Sequence, residues 1–215
     1  MPAHPRRAVS LDALGTLVEL EAPAPRLVAA LAERGVDVSP EDAERAFAAE
    51  IAFYLEHHLE GRDSISLAEL RSRCARVLEE QLGVADLLEP MLAALRFRAF
   101  PDAAPALWEL RANGLRLVVV SNWDCSLPRV LEEAGLLGLV DGVVSSAEAG
   151  AAKPDPAPFL LGLELAGASP EQALHVGDSV ERDVLGARAT GMEGVLLDRE
   201  GGGAIRSLGD LARLI

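Results

Sequence analysis

The sequence predicts an α/β fold, a doubly wound parallel sheet with a helical domain inserted after its first strand. Two observations predict it. Short β-rich runs recur at Arg7–Leu11 (RAVSL), Leu115–Ser121 (LRLVVVS), Val140–Ser146 (VDGVVSS), Ala173–Asp178 (ALHVGD) and Glu193–Asp198 (EGVLLD), and helical patterns separate the last four. Strand, helix, strand in this rhythm implies right-handed crossovers and a mostly parallel sheet. The rhythm breaks only between the first run and Phe100-Pro101, where roughly 80 residues carry helical periodicity and no clear strand.

The elements follow in order. Arg7–Leu11 ends at a lone carboxylate, Asp12, before the turn pair Gly15-Thr16. Such a carboxylate caps a turn or stands at the carboxyl edge of a sheet, where open α/β folds bind ligands. In the insert, Ala46, Phe47, Ile51, Tyr54 and Leu55 recur at helical spacing, and a second helix runs from a Ser66 cap to Gly83. The boundaries are read as a core of residues 1–19 and 97–215 and a helical cap of residues 20–96, placed over the carboxyl edge as a lid. Further on, Trp108, Leu110 and Ala112 lie in a helix before Asn113-Gly114, and Val130, Leu131 and Ala134 lie in one that Gly135 closes. Gly201–Gly203 form a loop before a short final helix.

Composition narrows the function classes. The 215 residues suffice for one large domain with an insert, and 50% hydrophobic with 25% charged residues is a globular composition. A net charge of −14 argues against sequence-independent binding to nucleic acid or anionic membrane, which needs clustered Lys and Arg. Cys74 and Cys125 fit neither a disulfide framework nor a metal motif, which points to a reducing cytoplasm. The N-terminal stretch has no uninterrupted apolar run, and no segment is long enough to span a bilayer. The charge balance does not bear on oligomeric state.

The ends of the runs gather chemistry. Asp12 follows the first, Ser121-Asn122 the second, Lys153 in AAKPDP the third, and Asp178 and Asp183 stand in VGDSVERDVLGA after the fourth. A Rossmann-like sheet brings these ends together. Each residue type has a use in phosphoryl transfer: a carboxylate attacks phosphorus, clustered carboxylates hold Mg²⁺, and a hydroxyl and an ammonium bind phosphoryl oxygens. Lys153 is the sole lysine in the chain, beside 19 arginines. A compact point charge suits phosphate.

With SLDALGTL, VVVSN, AAKPDPAPF and HVGDSVERDVLGARATGM in place, the chain resembles the haloacid dehalogenase-like hydrolase superfamily, with a helical cap of the subfamily I kind. The resemblance spans Asp12 to Met192. It implies Asp12 as nucleophile, Ser121 and Asn122 as phosphate-binding residues and Lys153 as the cation holding nucleophile and phosphate. It further implies Mg²⁺ bound by Asp12, Asp178 and the Leu14 carbonyl, with Asp183 supporting the metal site, and a small phosphorylated molecule as substrate.

One position departs. In the phosphatases of this family the residue two after the nucleophile is a second Asp that serves as acid and base, and here it is Leu14. The expectation is a Mg²⁺-dependent phosphatase working through an aspartyl phosphate without that group. Asp124 in SNWDCS is the candidate surrogate acid, with His57 and His58 of the cap read as surface residues. The alternatives are a phosphate- and metal-binding module with little turnover, and a 2-haloacid dehalogenase. Retention of both Asp178 and Asp183 speaks against the dehalogenase, and a cap without lysine excludes Schiff-base chemistry of the phosphonoacetaldehyde hydrolase kind. Arg26, Arg45, Tyr54 and Arg62 are the cap's candidates for setting specificity, His175 is read as a packed strand histidine, and Trp123 either gates the pocket or packs.

Overall fold

A computed structural model describes residues 5–215. The chain forms two compact units, one of the chain up to Glu19 together with Ala99–Ile215, the other Leu20–Arg98. In order, the elements are β1 (Ala8–Leu11), β2 (Val18–Glu21), α1 (Pro23–Glu33), α2 (Pro40–His57), α3 (Ser64–Leu82), α4 (Leu88–Ala94), β3 (Arg96–Ala99), α5 (Ala103–Ala112), β4 (Arg116–Ser121), α6 (Leu127–Glu133), β5 (Gly142–Ser145), α7 (Ser146–Ala149), α8 (Pro156–Ala166), β6 (Ala173–Gly177), α9 (Gly186–Ala189) and β7 (Glu193–Leu196).

The first unit is built on a parallel five-stranded sheet of order β5-β4-β1-β6-β7. β1 is central, with Leu11 paired to Val119 on one side and Val176 on the other. Sheets of this kind are covered on both faces, so their strands read as continuous apolar runs. Val9, Leu11, Leu117, Val119, Leu174 and Val176 are all fully buried, each stabilising the fold by roughly 1.5–3 kcal/mol. The chain winds one way from β1 through β4 and β5, then crosses to β6 and β7 on the other side. The switch point thus lies beside β1, where the crevice at the strands' carboxyl ends receives Asp12, Ser121 and Asp178.

The second unit packs α1 to α4 around Leu27, Leu31, Phe47, Leu70, Leu78, Leu87 and Met91. Three local expectations need correction here. The stretch before Phe100 does contain strands, because β2 (VELE) and β3 (RFRA) pair as a two-stranded sheet. Four residues with two charges each are too short and polar to register as strands by pattern. The second insert helix starts at an Asp63 cap, not at Ser66: the Asp63 carboxylate accepts the N–H groups of Ile65 (3.0 Å) and Ser66 (2.9 Å), and the Ser66 hydroxyl accepts the Asp63 N–H in return (3.1 Å). That is a capping box, in which the serine is the partner and the aspartate the cap. His58 is no surface residue, since it is buried and its Nδ1 lies 2.9 Å from the Leu55 carbonyl oxygen.

Burial on α2 also differs from the apolar pattern. Leu55 is half exposed, whereas Glu50 is 3% exposed on the same face as Ala43, Ala46 and Phe47. Desolvation pushes the Glu50 carboxyl above its usual range, against a smaller opposing hydrogen bond from Cys74. A raised folded pKa means that the ionised carboxylate destabilises the folded state above its unfolded value of about 4.3, and that the effect vanishes below it. Glu50→Gln therefore raises the melting temperature at pH 8, and the gain shrinks as the pH falls toward about 4.3. Paired calorimetric scans across that range check both the sign and the trend.

Candidate active site

β1 delivers Asp12 to the sheet edge, its N–H donating to the Val176 carbonyl at 2.8 Å. The chain then turns sharply: the Ala13 carbonyl accepts from Thr16 (3.2 Å), Leu17 (2.8 Å) and Val18 (2.9 Å). Gly15 has φ of 80°, and a Cβ there would stand 2.1 Å from Asp178 Oδ2. Only glycine permits both the left-handed backbone and the close approach of the two loops.

Asp12 is 6% exposed and its Oδ1 accepts from the Ser121 hydroxyl (2.9 Å) and from Lys153 Nζ (2.7 Å). Lys153 is itself 3% exposed and donates also to the Val120 carbonyl (2.8 Å) and to Asp183 Oδ1 (2.5 Å). An ammonium has three hydrogens, and all three are engaged. Burial alone would lower the Lys153 pKa, but Asp12 and Asp183 outweigh it and raise the value above its usual range, so the group is a fixed cation. The lysine is held from its backbone by Asn122, whose Oδ1 accepts the Lys153 N–H (2.7 Å) and whose Nδ2 donates to the Lys153 carbonyl (3.0 Å).

Asp183 stands behind this pair on the helical turn Val180–Leu185. Its Oδ2 accepts the Ser179 N–H at 2.9 Å, and its Oδ1 lies 3.2 Å from His175 Nε2. Burial pushes its carboxyl up, but the His175 hydrogen bond and the Lys153 ammonium outweigh it and hold the group well below the usual carboxylate range. Desolvation lowers the His175 pKa, which keeps the ring neutral. Nε2–H then donates to Asp183 while Nδ1 accepts the Ser10 hydroxyl at 2.8 Å, the tautomer that satisfies both partners. Gly177 makes room for Asp183, since a Cβ there would meet its Cγ at 2.2 Å.

Asp178 differs from the others in being exposed. Its carboxyl is pushed up to about 6 by partial desolvation and by the charges of Asp12 and Asp183. One ligand oxygen from each of Asp12, Asp178 and Asp183 lies within 4.8 Å of the other two. With His175 neutral, three carboxylates face a single ammonium, an excess of negative charge that a divalent, oxygen-seeking cation would balance. Asp12 and Asp178 fit such a cation better than Asp183, whose two oxygens are already taken by Lys153, His175 and Ser179.

The structure thus brings Asp12, Ser121, Lys153, Asp178 and Asp183 into one cluster and ties Asn122 to it through the Lys153 backbone. Leu14 stands beside the cluster, 42% exposed. Asp124 is buried, and its Oδ1 accepts the Ser126 N–H (2.7 Å) at the entry to α6. Trp123 is 5% exposed, packed and not open to solvent, and its N–H donates to the Ser146 hydroxyl (3.0 Å). Sequence reasoning left out Ser10, although Ser10 precedes Asp12 by two on β1 and pairs in register with His175 on β6. That period-two placement was the available signal.

The comparisons with known proteins bear on the family and the fold. A family model of haloacid dehalogenase-like hydrolases matches residues 6–191. The bovine haloacid dehalogenase-like hydrolase domain-containing protein 3 is 38% identical over 129 residues, which are 54% of this chain and 51% of that protein. The phosphatase MT3486 of Mycobacterium tuberculosis is 36% identical over 154 residues, 69% of this chain and 70% of that protein. The chain spans about half the length of the first of these relatives. Among solved structures, a haloacid dehalogenase-superfamily (HAD) phosphatase from Thermococcus onnurineus is 26% identical with a TM-score of 0.66, each chain covered to 97%. The L-2-haloacid dehalogenase of Xanthobacter autotrophicus, 23% identical with a TM-score of 0.73 over 97% of this chain and 98% of that one, shares the fold. A family match over most of the chain, on a sheet whose edge carries the Asp12, Ser121, Lys153, Asp178 and Asp183 cluster, shows that the chain belongs to the haloacid dehalogenase-like hydrolases.

Proposed function

We propose that the protein is a Mg²⁺-dependent phosphatase that acts on a small phosphorylated metabolite through a phosphate ester of Asp12. The observation that carries this reading is the buried Asp12–Lys153–Asp183 run with an Asp178 oxygen in ligand range. Asp12, Asp178 and the Leu14 carbonyl would hold the metal, with Asp183 behind them. Bound there, Mg²⁺ neutralises charge on the transferring phosphoryl group.

The chain's own residues divide the remaining work. Lys153 and Ser121 fix Asp12 Oδ1, which leaves Oδ2 as the attacking atom. The Ser121 hydroxyl, now donating to Asp12, turns to a phosphoryl oxygen when substrate arrives, because the more highly charged acceptor forms the stronger hydrogen bond. Asn122 acts through the backbone of Lys153, as a positioning residue. Oδ2 forms a bond to phosphorus while the ester oxygen leaves with its electron pair; water then attacks the same phosphorus, releasing phosphate and restoring Asp12.

Position 14 shapes the substrate class. Leucine cannot give the departing oxygen a proton, and a positioned acid is worth about 10²–10⁴-fold. Substrates whose leaving group departs as a stable anion, such as acyl and aryl phosphates, therefore react fastest. The reading of a binding module with little turnover draws on the same exposed Leu14 and is separated by the same assay. Asp178 and Asp183 argue for metal chemistry over halide displacement.

Phosphate release from acetyl phosphate and para-nitrophenyl phosphate, with and without Mg²⁺, is expected to depend on the metal and to vanish in Asp12→Asn. No release with Mg²⁺ present would favour the binding module. Across a series of aryl and alkyl phosphates kcat/KM falls steeply as the leaving group becomes more basic, and Leu14→Asp flattens that slope by accelerating the alkyl esters most. An unchanged slope would locate the acid elsewhere, with Asp124 the residue to substitute next. Asp183→Ala strips Lys153, His175 and Ser179 of a shared acceptor and lowers stability by roughly 3–5 kcal/mol in urea unfolding, the usual cost of breaking a buried pair.

A further inference from the structure

We infer that Arg199 is a positioning residue for the turn that carries Asp12, acting through the backbone carbonyl of Thr16. The inference rests on the phosphatase reading above.

The relative placement of Asp12 and Asp178 depends on where the turn from Asp12 to Val18 lies, because Gly15 abuts the Asp178 carboxylate with no room to spare. On Asp178's side that placement is held by the loop after β6. Elsewhere the turn is held by a group far away in sequence: Arg199 Nη2 donates to the Thr16 carbonyl at 2.8 Å, and Nη1 donates to Asp102 Oδ2 at 3.0 Å. The guanidinium carbon lies over the Phe100 ring, 3.7 Å from its centroid, and the Phe100 N–H donates to the Leu17 carbonyl at 3.0 Å. One cation thus holds the turn by a hydrogen bond to Thr16 and lies against the returning chain at Phe100. Lysine cannot do both.

Arg199 is presented from a loop that carries its own set of backbone contacts. The Asp198 carboxylate accepts the N–H groups of Glu200 (3.0 Å), Gly201 (3.2 Å) and Gly202 (2.6 Å), and the Asp198 N–H donates to the Ile205 carbonyl at 3.0 Å. Asp102 is fixed in turn by the Leu208 N–H at 2.9 Å. Stability alone is a poor reason for this array. Thr16 Oγ1, Asp102 Oδ1 and Arg199 Nε are buried with no protein partner, and a cluster with such atoms is commonly improved by apolar replacement. What apolar packing cannot supply is a directional bond to the Thr16 carbonyl.

The test measures Mg²⁺ binding by calorimetry and para-nitrophenyl phosphate turnover for the unsubstituted chain, Arg199→Ala, Arg199→Lys and Arg213→Ala, the last an exposed control. In Arg199→Ala the Mg²⁺ dissociation constant rises and kcat falls, each on the order of 10–100-fold, as expected when a group orienting metal ligands is lost. Arg199→Lys lies between, and Arg213→Ala matches the unsubstituted chain. If Arg199→Ala proves too unstable to fold, Arg199→Lys alone decides. A folded Arg199 variant with unaltered Mg²⁺ binding and kcat, even with a lower melting temperature, makes the residue merely structural and overturns the inference while the phosphatase reading stands. Neither Mg²⁺ binding nor turnover in the unsubstituted chain overturns both.

Discussion

A single buried ammonium, Lys153 Nζ, is the contact on which the rest of the site depends. It is wedged among two carboxylates and a backbone carbonyl with no hydrogen left over. Burying such charges is costly, and removal of any one partner leaves the others uncompensated. That cost makes the geometry stiff. Two loops from distant parts of the chain, one after β1 and one after β6, are pinned to the same atom, and the loop between α7 and α8 that supplies the lysine is pinned through Asn122 to the end of β4.

Around this centre the polar groups satisfy one another in sequence from Ser10 through His175 to Asp183, Lys153 and Asp12. A fully satisfied network of this kind in a low-dielectric interior is strong, whereas a partly satisfied one is a liability. The neutral His175 is part of that balance, since a charged ring would compete with Lys153 for Asp183. Phe159 of α8 packs edge-on against the imidazole, 4.9 Å between centroids, and covers the network on that side. Asp178 alone remains outside the network and exposed. With Asp12 Oδ2, it offers capacity to take a cation.

How much of this was legible in the sequence follows from range and pattern. The five parallel strands were legible because both faces of the sheet are covered, so each strand reads as an apolar run. Asp12, Ser121, Lys153, Asp178 and Asp183 were legible as residues at or just beyond the ends of those runs. β2 and β3 were not, being four residues long and half charged. Ser66 misled because a capping box contains two polar residues, either of which resembles the cap. Glu50 on α2 and His58 just beyond it were hidden by their polarity, on a segment whose apolar stripe predicts Leu55 instead. Arg199 was invisible for a different reason: its partners Thr16, Phe100 and Asp102 are about 100 or more residues away, and no local spacing encodes a contact of that range.

The same stiffness bears on how the site meets a substrate. Ser121 and Lys153 are both occupied by Asp12, so neither offers a vacant donor to an incoming phosphate. The hydroxyl can turn, because one rotation exchanges one acceptor for another. The ammonium cannot, because releasing any of its three partners strands a buried oxygen. On the phosphatase reading, Lys153 would contribute a fixed field and Ser121 the adjustable contact, and attraction for phosphate would come from preorganised charge with little cost of rearrangement. On that reading, a site built this way would stabilise charge at phosphorus better than it manages protons. That imbalance is consistent with leucine at position 14.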